Sequence, residues 1–190
     1  MFSKKEIRRQ SAHIFFGLVI VLLLDHEIIN GYALAGISAV IILLSVAATK
    51  TRLPLMKYIR KIQRKNEQEG LQFKGMIFYA LGCTTVVFIF PKEIALASIM
   101  ILALGDSTSR LVGPLGYLKY PFNNKRFLEG IVAGAIVSTI GAWAFVDIIP
   151  AMIAASGAMI IEGIDMRVNN YKIDDNLTIP LISALILFLI

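Results

Sequence analysis

Cysteine and charge are both scarce in this sequence. The single cysteine, Cys83, lies in an apolar run, and one cysteine excludes both an intramolecular disulfide and a metal cluster held by several cysteines. Charged residues make up only 17% of the chain, and they are clustered rather than spread evenly. Polar chemistry is therefore confined to a few short segments, which stand out against an apolar background.

Apolar residues dominate what remains. They account for 57% of the 190 residues, and the mean hydropathy is +0.73, whereas soluble domains are about 45–50% apolar. The apolar runs are continuous, which is typical of membrane helices. We therefore predict an all-α fold, a polytopic bundle of transmembrane helices formed by residues 1–190 as a single domain. We attribute the net charge of +6 to loops at a membrane surface and not to nucleic-acid binding.

The apolar runs predict about seven transmembrane helices, some of them short or broken. The predicted spans are 11–24, 28–48, 73–90, 94–104, 127–145, 151–161 and 177–190. The fourth has only eleven residues before Gly105, and the last has fourteen, which gives about 21 Å of helix at ~1.5 Å per residue. Because the hydrocarbon core is about 30 Å thick, local thinning, tilt of neighbours or partner helices must compensate.

Positive charge is distributed very unequally between the two sides that seven spans define. Of the 19 Lys and Arg residues, all but Lys92 fall in the N-terminus and in the segments 49–74, 105–129 and 162–176. This asymmetry predicts that those segments are cytoplasmic and that the C-terminus lies on the opposite side. Every costly polar cluster then lies on the cytoplasmic face, where paired cations and carboxylates suit a nucleoside triphosphate and its divalent cation.

The central polar segment runs from Gly105 to Gly116. It opens with Asp106, and a carboxylate at the lip of a membrane helix indicates a function because it is expensive to place there. Gly105, Gly113 and Gly116 would leave backbone amides accessible, as a phosphate-holding loop requires. A plain interfacial turn has the same spacing, so this segment alone does not distinguish the two interpretations.

Two junctions between loop and helix carry further candidates. Before the fifth span, Lys125 and Arg126 could contact phosphates and Glu129 a metal ion or nucleotide, but snorkelling cations and a carboxylate favoured by the helix dipole explain the same pattern. At the start of the last span, Asp174 or Asp175 is expected to cap the helix. Since one carboxylate suffices for capping, the other is available to bind Mg²⁺ or to accept a hydroxyl proton.

Weaker candidates lie on the same predicted face. Glu162 ends the sixth span, where a solvated helix end explains it equally well. His13 lies one turn inside the first span, and a lone histidine on an apolar face is more often a buried, hydrogen-bonded residue than a catalytic one. Glu6 and Arg9 belong to the basic N-terminal segment, whose cations act by default as anchors for lipid headgroups.

Four segments of the chain form a recognisable series. In chain order they are Glu6, Arg8, Arg9, His13 and Gly17; Gly105, Asp106, Gly113 and Gly116; Arg126-Phe127-Leu128-Glu129-Gly130; and Glu162 with Asp175-Asn176-Leu177-Thr178-Ile179-Pro180. Together they resemble the CTP-dependent polyprenol kinase family, which includes dolichol kinase and phytol kinase, and more distantly the phosphatidate cytidylyltransferases. The resemblance covers nearly the whole chain, with one departure: Phe127 occupies a position where the family usually has Ser, and Arg126 one where it often has Lys.

The resemblance implies that a prenol hydroxyl attacks the γ-phosphate of CTP and yields a prenyl monophosphate and CDP. It implies Mg²⁺-linked carboxylates at Asp106, Asp175 and Glu129, with Asp174 or Asp175 accepting the hydroxyl proton. It implies nucleotide contacts at Gly105, Arg110, Gly113, Gly116, Lys125, Arg126 and Asn176. The expected partners are CTP, a prenol lipid and membrane lipids, without nucleic acid, and the sequence is compatible with an oligomer.

Two alternatives remain open. A cytidylyltransferase that joins CTP to a lipid phosphate would release pyrophosphate, whereas a kinase releases CDP. A small non-enzymatic transporter should place charged groups near the bilayer midplane or on both faces, while here they crowd one predicted face. We therefore favour the kinase.

Overall fold

The computed structural model describes residues 4–50, 74–164, 167–168 and 171–190, with the side chains of 48–50, 167–168 and 171–172 excepted. Residues 51–73 of the predicted basic segment 49–74 lie outside them. The described residues contain seven helices, α1 (Lys4–Asp25), α2 (Gly31–Lys50), α3 (Lys74–Ile89), α4 (Lys92–Leu115), α5 (Leu128–Ala142), α6 (Ile148–Glu162) and α7 (Asp175–Leu189). Four short strands, β1 (Lys119–Tyr120), β2 (Asn123–Phe127), β3 (Arg167–Val168) and β4 (Tyr171–Lys172), pair as two antiparallel hairpins.

The predicted all-α class is confirmed, with the helices in the predicted order. Two of them, α1 and α4, are long and apolar enough to cross a membrane, and the other five are apolar but shorter. Large apolar side chains such as Phe15, Leu43 and Phe188 are exposed, while several charged residues are buried. Apolar exposure on this scale is typical of a surface that faces lipid. The crossing of all seven helices stays a prediction.

Helix α4 forms the centre of the bundle. The side chains from Ala95 to Ala103 are almost completely buried, because α1, α3, α5, α6 and α7 all pack around this helix. Helix α2 packs mainly against α3 and so lies further out. Small residues permit this density: Ala154, Ala155 and Ala158 of α6 are fully buried, and small side chains let helix backbones approach closely in a membrane.

The predicted end of the fourth span at residue 104 is wrong, because α4 continues to Leu115. The helix widens to a π-helix over Ile101–Asp106, resumes as an α-helix and ends in a 3₁₀ turn. Other helices pack closely against Gly105, since a Cβ there would lie 2.8 Å from the terminal methyl of Met159 and 3.2 Å from Ser138 Oγ. Single-turn π-helical insertions occur frequently at functional sites, and this one contains Asp106.

We expect Gly134→Ala to destabilise the bundle by about 1–3 kcal/mol, the usual cost of overpacking. A Cβ on Gly134 would lie 2.8 Å from the Gly105 carbonyl oxygen and 3.0 Å from Met159 Sδ, so α4 and α6 would have to shift. Gly36→Ala is the matched control, because nothing lies within 4 Å of its added Cβ. The free energy of unfolding in detergent micelles measures both, and equal values for the two variants would contradict the close packing at Gly134.

Candidate active site

Three carboxylates meet where α4, α6 and α7 come together. Asp106 of α4, Glu162 at the end of α6 and Asp175 at the start of α7 each offer an oxygen within 4.8 Å of the other two. All three residues are buried. The convergence of Asp106 with Asp175, separated by almost 70 positions in the chain, is what the distribution of polar segments predicted.

Two arginines tie these carboxylates together. Arg110 Nε donates to Asp106 Oδ1 at 2.6 Å, and its Nη2 donates to Asp175 Oδ2 at 2.8 Å. Arg126, at the end of β2, donates to the same Asp175 oxygen at 3.2 Å and forms an ion pair with Glu162 Oε1. Burying ionic groups is strongly unfavourable unless they are paired. Each arginine therefore bridges two carboxylates, and one negative charge remains in excess if all five groups are ionised.

The helical continuation of α4 explains how one short segment supplies several of these groups. Residues three and four apart lie on the same face of a helix, which aligns Asp106, Ser109 and Arg110. Ser109 Oγ donates to Glu162 Oε2 at 3.2 Å and so links α4 to α6. Sequence reasoning missed Ser109 as a site residue. Its spacing from Asp106 would have revealed it only if the segment had been predicted as a helix.

The adjacent carboxylates before the last helix divide their roles as predicted. Asp174 caps α7, because its Oδ1 accepts a hydrogen bond from the Asn176 backbone N–H at 3.1 Å. Asp175 is thereby available to the cluster, where it accepts hydrogen bonds from Arg110 and Arg126. Burial raises the pKa of the Asp174 carboxyl above its ordinary value.

His13 of α1 borders the cluster. Its Nε2 lies 3.9 Å from Asp106 Oδ2, and its ring packs edge-on against Tyr79 with centroids 4.4 Å apart. Within the described part of the chain, the buried Nε2 has no hydrogen-bond partner. Glu6 and Arg9 lie nearer the start of the same helix, where Arg9 Nη2 donates to Glu6 Oε1 at 2.5 Å.

Glu129 is not part of the carboxylate cluster, so the metal-binding role predicted for it does not fit the structure. Its Oε1 accepts hydrogen bonds from the backbone amides of Tyr117 and Leu118, at 2.8 and 3.0 Å. Gly116 lies so close that a Cβ there would overlap the Glu129 carboxylate. Glu129 therefore fixes the chain that follows α4, and Glu162 takes the third carboxylate position.

The predicted accessible amides are also wrong at two of the three glycines. The Gly113 N–H donates to the Ser109 carbonyl, and the Gly116 N–H donates to the Gly113 carbonyl at 2.8 Å. The close contact here depends on Gly130 of α5: a Cβ on Gly130 would lie 2.7 Å from Gly113 Cα, whereas a Cβ on Gly113 would meet nothing closer than 3.9 Å. Gly130 thus allows α5 to approach α4, and Gly116 makes room for the Glu129 carboxylate, so this segment does not form an open phosphate-binding loop.

Two other predicted nucleotide-binding residues have different surroundings. Lys125 is exposed, and it precedes Arg126 on β2, so the pleat of the strand sends the two side chains to opposite sides. Asn176 ties α7 to α3, since its Nδ2 donates to the Gly75 carbonyl at 3.2 Å. Its Oδ1 is buried, and no hydrogen-bond partner for it exists among the residues that the structure describes.

The donor set of the cluster fits a magnesium ion. Mg²⁺ prefers hard oxygen ligands and is commonly held by one or two carboxylates together with the phosphates of a nucleotide. Asp106, Glu162 and Asp175 provide such oxygens within one small volume. Arg110 and Arg126 provide planar guanidinium groups, which match phosphate geometry. The arrangement is therefore suited to holding a nucleotide phosphate chain together with a divalent cation.

Comparison with known proteins finds similarity to lipid kinases. No protein-family profile and no solved structure matches the chain. An uncharacterised protein of Methanocaldococcus jannaschii is 28% identical over 96% of this chain and 93% of its own length. CTP-dependent diacylglycerol kinase 1 of Schizosaccharomyces pombe is 28% identical over 70% of this chain and 67% of its own. The chloroplastic farnesol kinase of Arabidopsis thaliana is 30% identical over 70% of this chain and 47% of its own.

The chain is a homologue of the CTP-dependent lipid kinases. The predicted resemblance is thereby confirmed at the level of the family. The chain spans about half the length of the farnesol kinase that it matches. The cluster of this lipid kinase homologue draws Asp106, Arg126, Glu162 and Asp175 from three of the four segments that carry the resemblance.

Proposed function

We propose that this protein transfers the γ-phosphoryl group of CTP to the hydroxyl of a prenol at the cytoplasmic face of a membrane. The observation that carries the proposal is the buried cluster of Asp106, Glu162 and Asp175, bridged by two arginines. Burying charge inside an apolar bundle is expensive, and such groups usually mark a functional site. The names of the relatives support CTP as the donor and a lipid as the acceptor.

Each residue of the cluster has a role in this transfer. Asp106, Glu162 and Asp175 would hold Mg²⁺, which offsets negative charge on the β- and γ-phosphates. Arg110 and Arg126 reach these same carboxylates, so phosphate oxygens beside the metal fall within range of their guanidinium groups. Preorganised cations of this kind stabilise the charge that develops during phosphoryl transfer.

The bond changes are those of a kinase. The prenol oxygen forms a bond to the γ-phosphorus, and the bond from that phosphorus to the β–γ bridging oxygen breaks. CDP leaves with the bridging oxygen, while the hydroxyl proton passes to a carboxylate, Asp174 or Asp175.

The acceptor lipid has two candidate classes. The exposed apolar faces of the helices suit a lipid tail, whose hydroxyl would reach the cluster at the end of the bundle. The farnesol kinase relative favours a prenol. The diacylglycerol kinase relative favours diacylglycerol as a second candidate. Both acceptors present one hydroxyl on an apolar chain, so the same cluster would serve either.

An assay with the full chain in lipid nanodiscs tests the proposal. CTP or ATP labelled in the γ-phosphate is offered with farnesol, phytol, dolichol or diacylglycerol. We expect label to pass from CTP to a prenol with formation of CDP, and we expect EDTA to abolish the transfer until excess Mg²⁺ is added, because the phosphates need a metal. Pyrophosphate as the product would identify a cytidylyltransferase, and no turnover with any lipid would refute a kinase.

A further inference from the structure

A short hairpin between α4 and α5 has an unusual surface. Residues 115–127, which we call the site hairpin, contain β1 and β2 in an antiparallel pair with Lys119 opposite Phe127 and Tyr120 opposite Asn123. The strand β2 delivers Arg126 into the carboxylate cluster. The position of this hairpin therefore controls the position of one of the two arginines of the site.

The site hairpin is held firmly against the bundle. Tyr120 is buried, and its hydroxyl donates to the Ile160 carbonyl near the end of α6 at 3.1 Å. The Leu128 N–H donates to the Leu118 carbonyl at 2.8 Å, and Glu129 accepts from the amides of the same loop. These contacts fix the position of the hairpin relative to the helices beside it.

The side chains that face away from these contacts are mostly apolar. Tyr117 is 92% exposed, Phe122 is 74% exposed and Leu118 is 63% exposed. Two lysines of the same hairpin, Lys119 and Lys125, are also exposed. Aromatic side chains together with lysines are the composition found at membrane–water interfaces, and lysines near that surface are attracted to anionic headgroups.

We propose that the site hairpin lies in the headgroup region of an anionic bilayer, with Tyr117, Leu118 and Phe122 inserted between the lipids. Two observations favour lipid as the occupant: the hairpin adjoins helices whose large apolar side chains are exposed, and its exposed cations complement anionic headgroups. The contact fixes the depth of Arg126, and hence of the cluster, relative to the membrane surface. This membrane contact does not depend on the proposed kinase activity.

Tryptophan fluorescence tests the contact without any turnover. The only tryptophan of the chain is Trp143, so Trp143→Phe combined with Phe122→Trp gives a single reporter on the hairpin. In vesicles of brominated phosphatidylglycerol we expect this reporter to lose about half of its fluorescence, because aromatic rings of the interface lie at headgroup level. Bromine near the carboxyl end of the acyl chain should quench more than bromine near the methyl end.

The other outcomes separate the remaining occupants. Quenching by aqueous iodide without quenching by bromolipid would place the hairpin in water, and protection from both quenchers would place it against protein; either result overturns the proposal. Lys119→Gln in the reporter background should weaken bromolipid quenching in phosphatidylglycerol but not in phosphatidylcholine. Lys92→Gln, at the opposite end of α4, is the matched control and should change neither. Unchanged thermal unfolding confirms that each variant is folded.

Discussion

Asp106→Asn should lower the rate of CTP-dependent lipid phosphorylation by about 10²–10³-fold or more, the usual loss when one preorganised electrostatic group of a site is removed. Asp106 accepts a hydrogen bond from Arg110 at 2.6 Å, and His13 Nε2 lies 3.9 Å from its other carboxylate oxygen. An amide in its place is a poor metal ligand and leaves Arg110 without its nearest counter-charge. The initial rate of lipid phosphate formation from labelled CTP measures the effect.

The control for this prediction must separate chemistry from folding. Asp147→Asn removes the same charge at an exposed position before α6 and should leave the rate unchanged. Asp106→Asn also weakens the fold, because removing one partner of a buried ion pair costs about 3–5 kcal/mol. Thermal unfolding therefore accompanies the assay, and Asp106→Glu keeps the charge while displacing it. An Asp106→Asn protein that folds and retains full activity would end the assignment of Asp106.

The convergence of distant polar groups could be predicted from the sequence because membrane physics limits where charge is tolerated. Asp106 and Asp175 lie at the edges of different apolar runs, and an apolar bundle can accommodate such groups only where they pair with one another. The structure brings them together through Arg110. The division of labour between Asp174 and Asp175 was predictable for a simpler reason, since a helix start needs only one capping side chain.

The placement of charged groups at the two ends of the helices is also consistent with the distribution of charge along the sequence. Lys92 Nζ donates to the Asp25 carbonyl at 2.8 Å and to Glu27 at 3.3 Å. This contact joins the turn after α1 to the start of α4, whereas Asp106 lies near the other end of α4. The acidic turn and the carboxylate cluster are thus at opposite ends of these helices. Which end is cytoplasmic stays a prediction that rests on the positive-inside rule.

The course of α4 beyond residue 104 could not be read from the sequence. Glycine followed by aspartate normally indicates the end of a helix, because both residues favour turns. Tertiary packing overrides this preference, since Met159 and Ser138 pack against Gly105 at distances that leave no room for a side chain. The same override misdirected the interpretation of Gly113 and Gly116, whose backbone N–H groups are bonded to the Ser109 and Gly113 carbonyls as α4 ends.

The sequence also could not show which of Glu129 and Glu162 joins the carboxylate cluster. Both residues lie at helix ends next to polar loops, so their sequence contexts are alike. Their contacts decide the matter: Glu129 accepts hydrogen bonds from the amides of Tyr117 and Leu118, while Glu162 accepts one from Ser109 and pairs with Arg126. No local pattern encodes that difference, because each partner lies more than ten residues away along the chain.

Because Glu162 belongs to the cluster, its replacement should have a large effect on the Mg²⁺ requirement. Glu162→Gln should raise the Mg²⁺ concentration needed for half-maximal activity by more than the 10–100-fold that loss of a mere outer-shell partner typically costs. The reason is that the amide removes one of the three carboxylates of the site, and this carboxylate also pairs with Arg126. The net charge of the site becomes less negative, so the site attracts a cation less strongly. A titration of activity with Mg²⁺, together with the rise in unfolding temperature that Mg²⁺ produces, measures the change with and without turnover.

Glu129→Gln is the matched control, since it makes the identical chemical change at the neighbouring carboxylate. It should leave the Mg²⁺ requirement as it is, because Glu129 contacts backbone amides rather than the cluster. The opposite result, a raised Mg²⁺ requirement in Glu129→Gln with none in Glu162→Gln, would restore the role that the sequence assigned to Glu129. Glu162→Asp adds a finer test: partial recovery of the Mg²⁺ response would show that the carboxylate itself, and not only the packing of α6 against α4, is what the metal site requires.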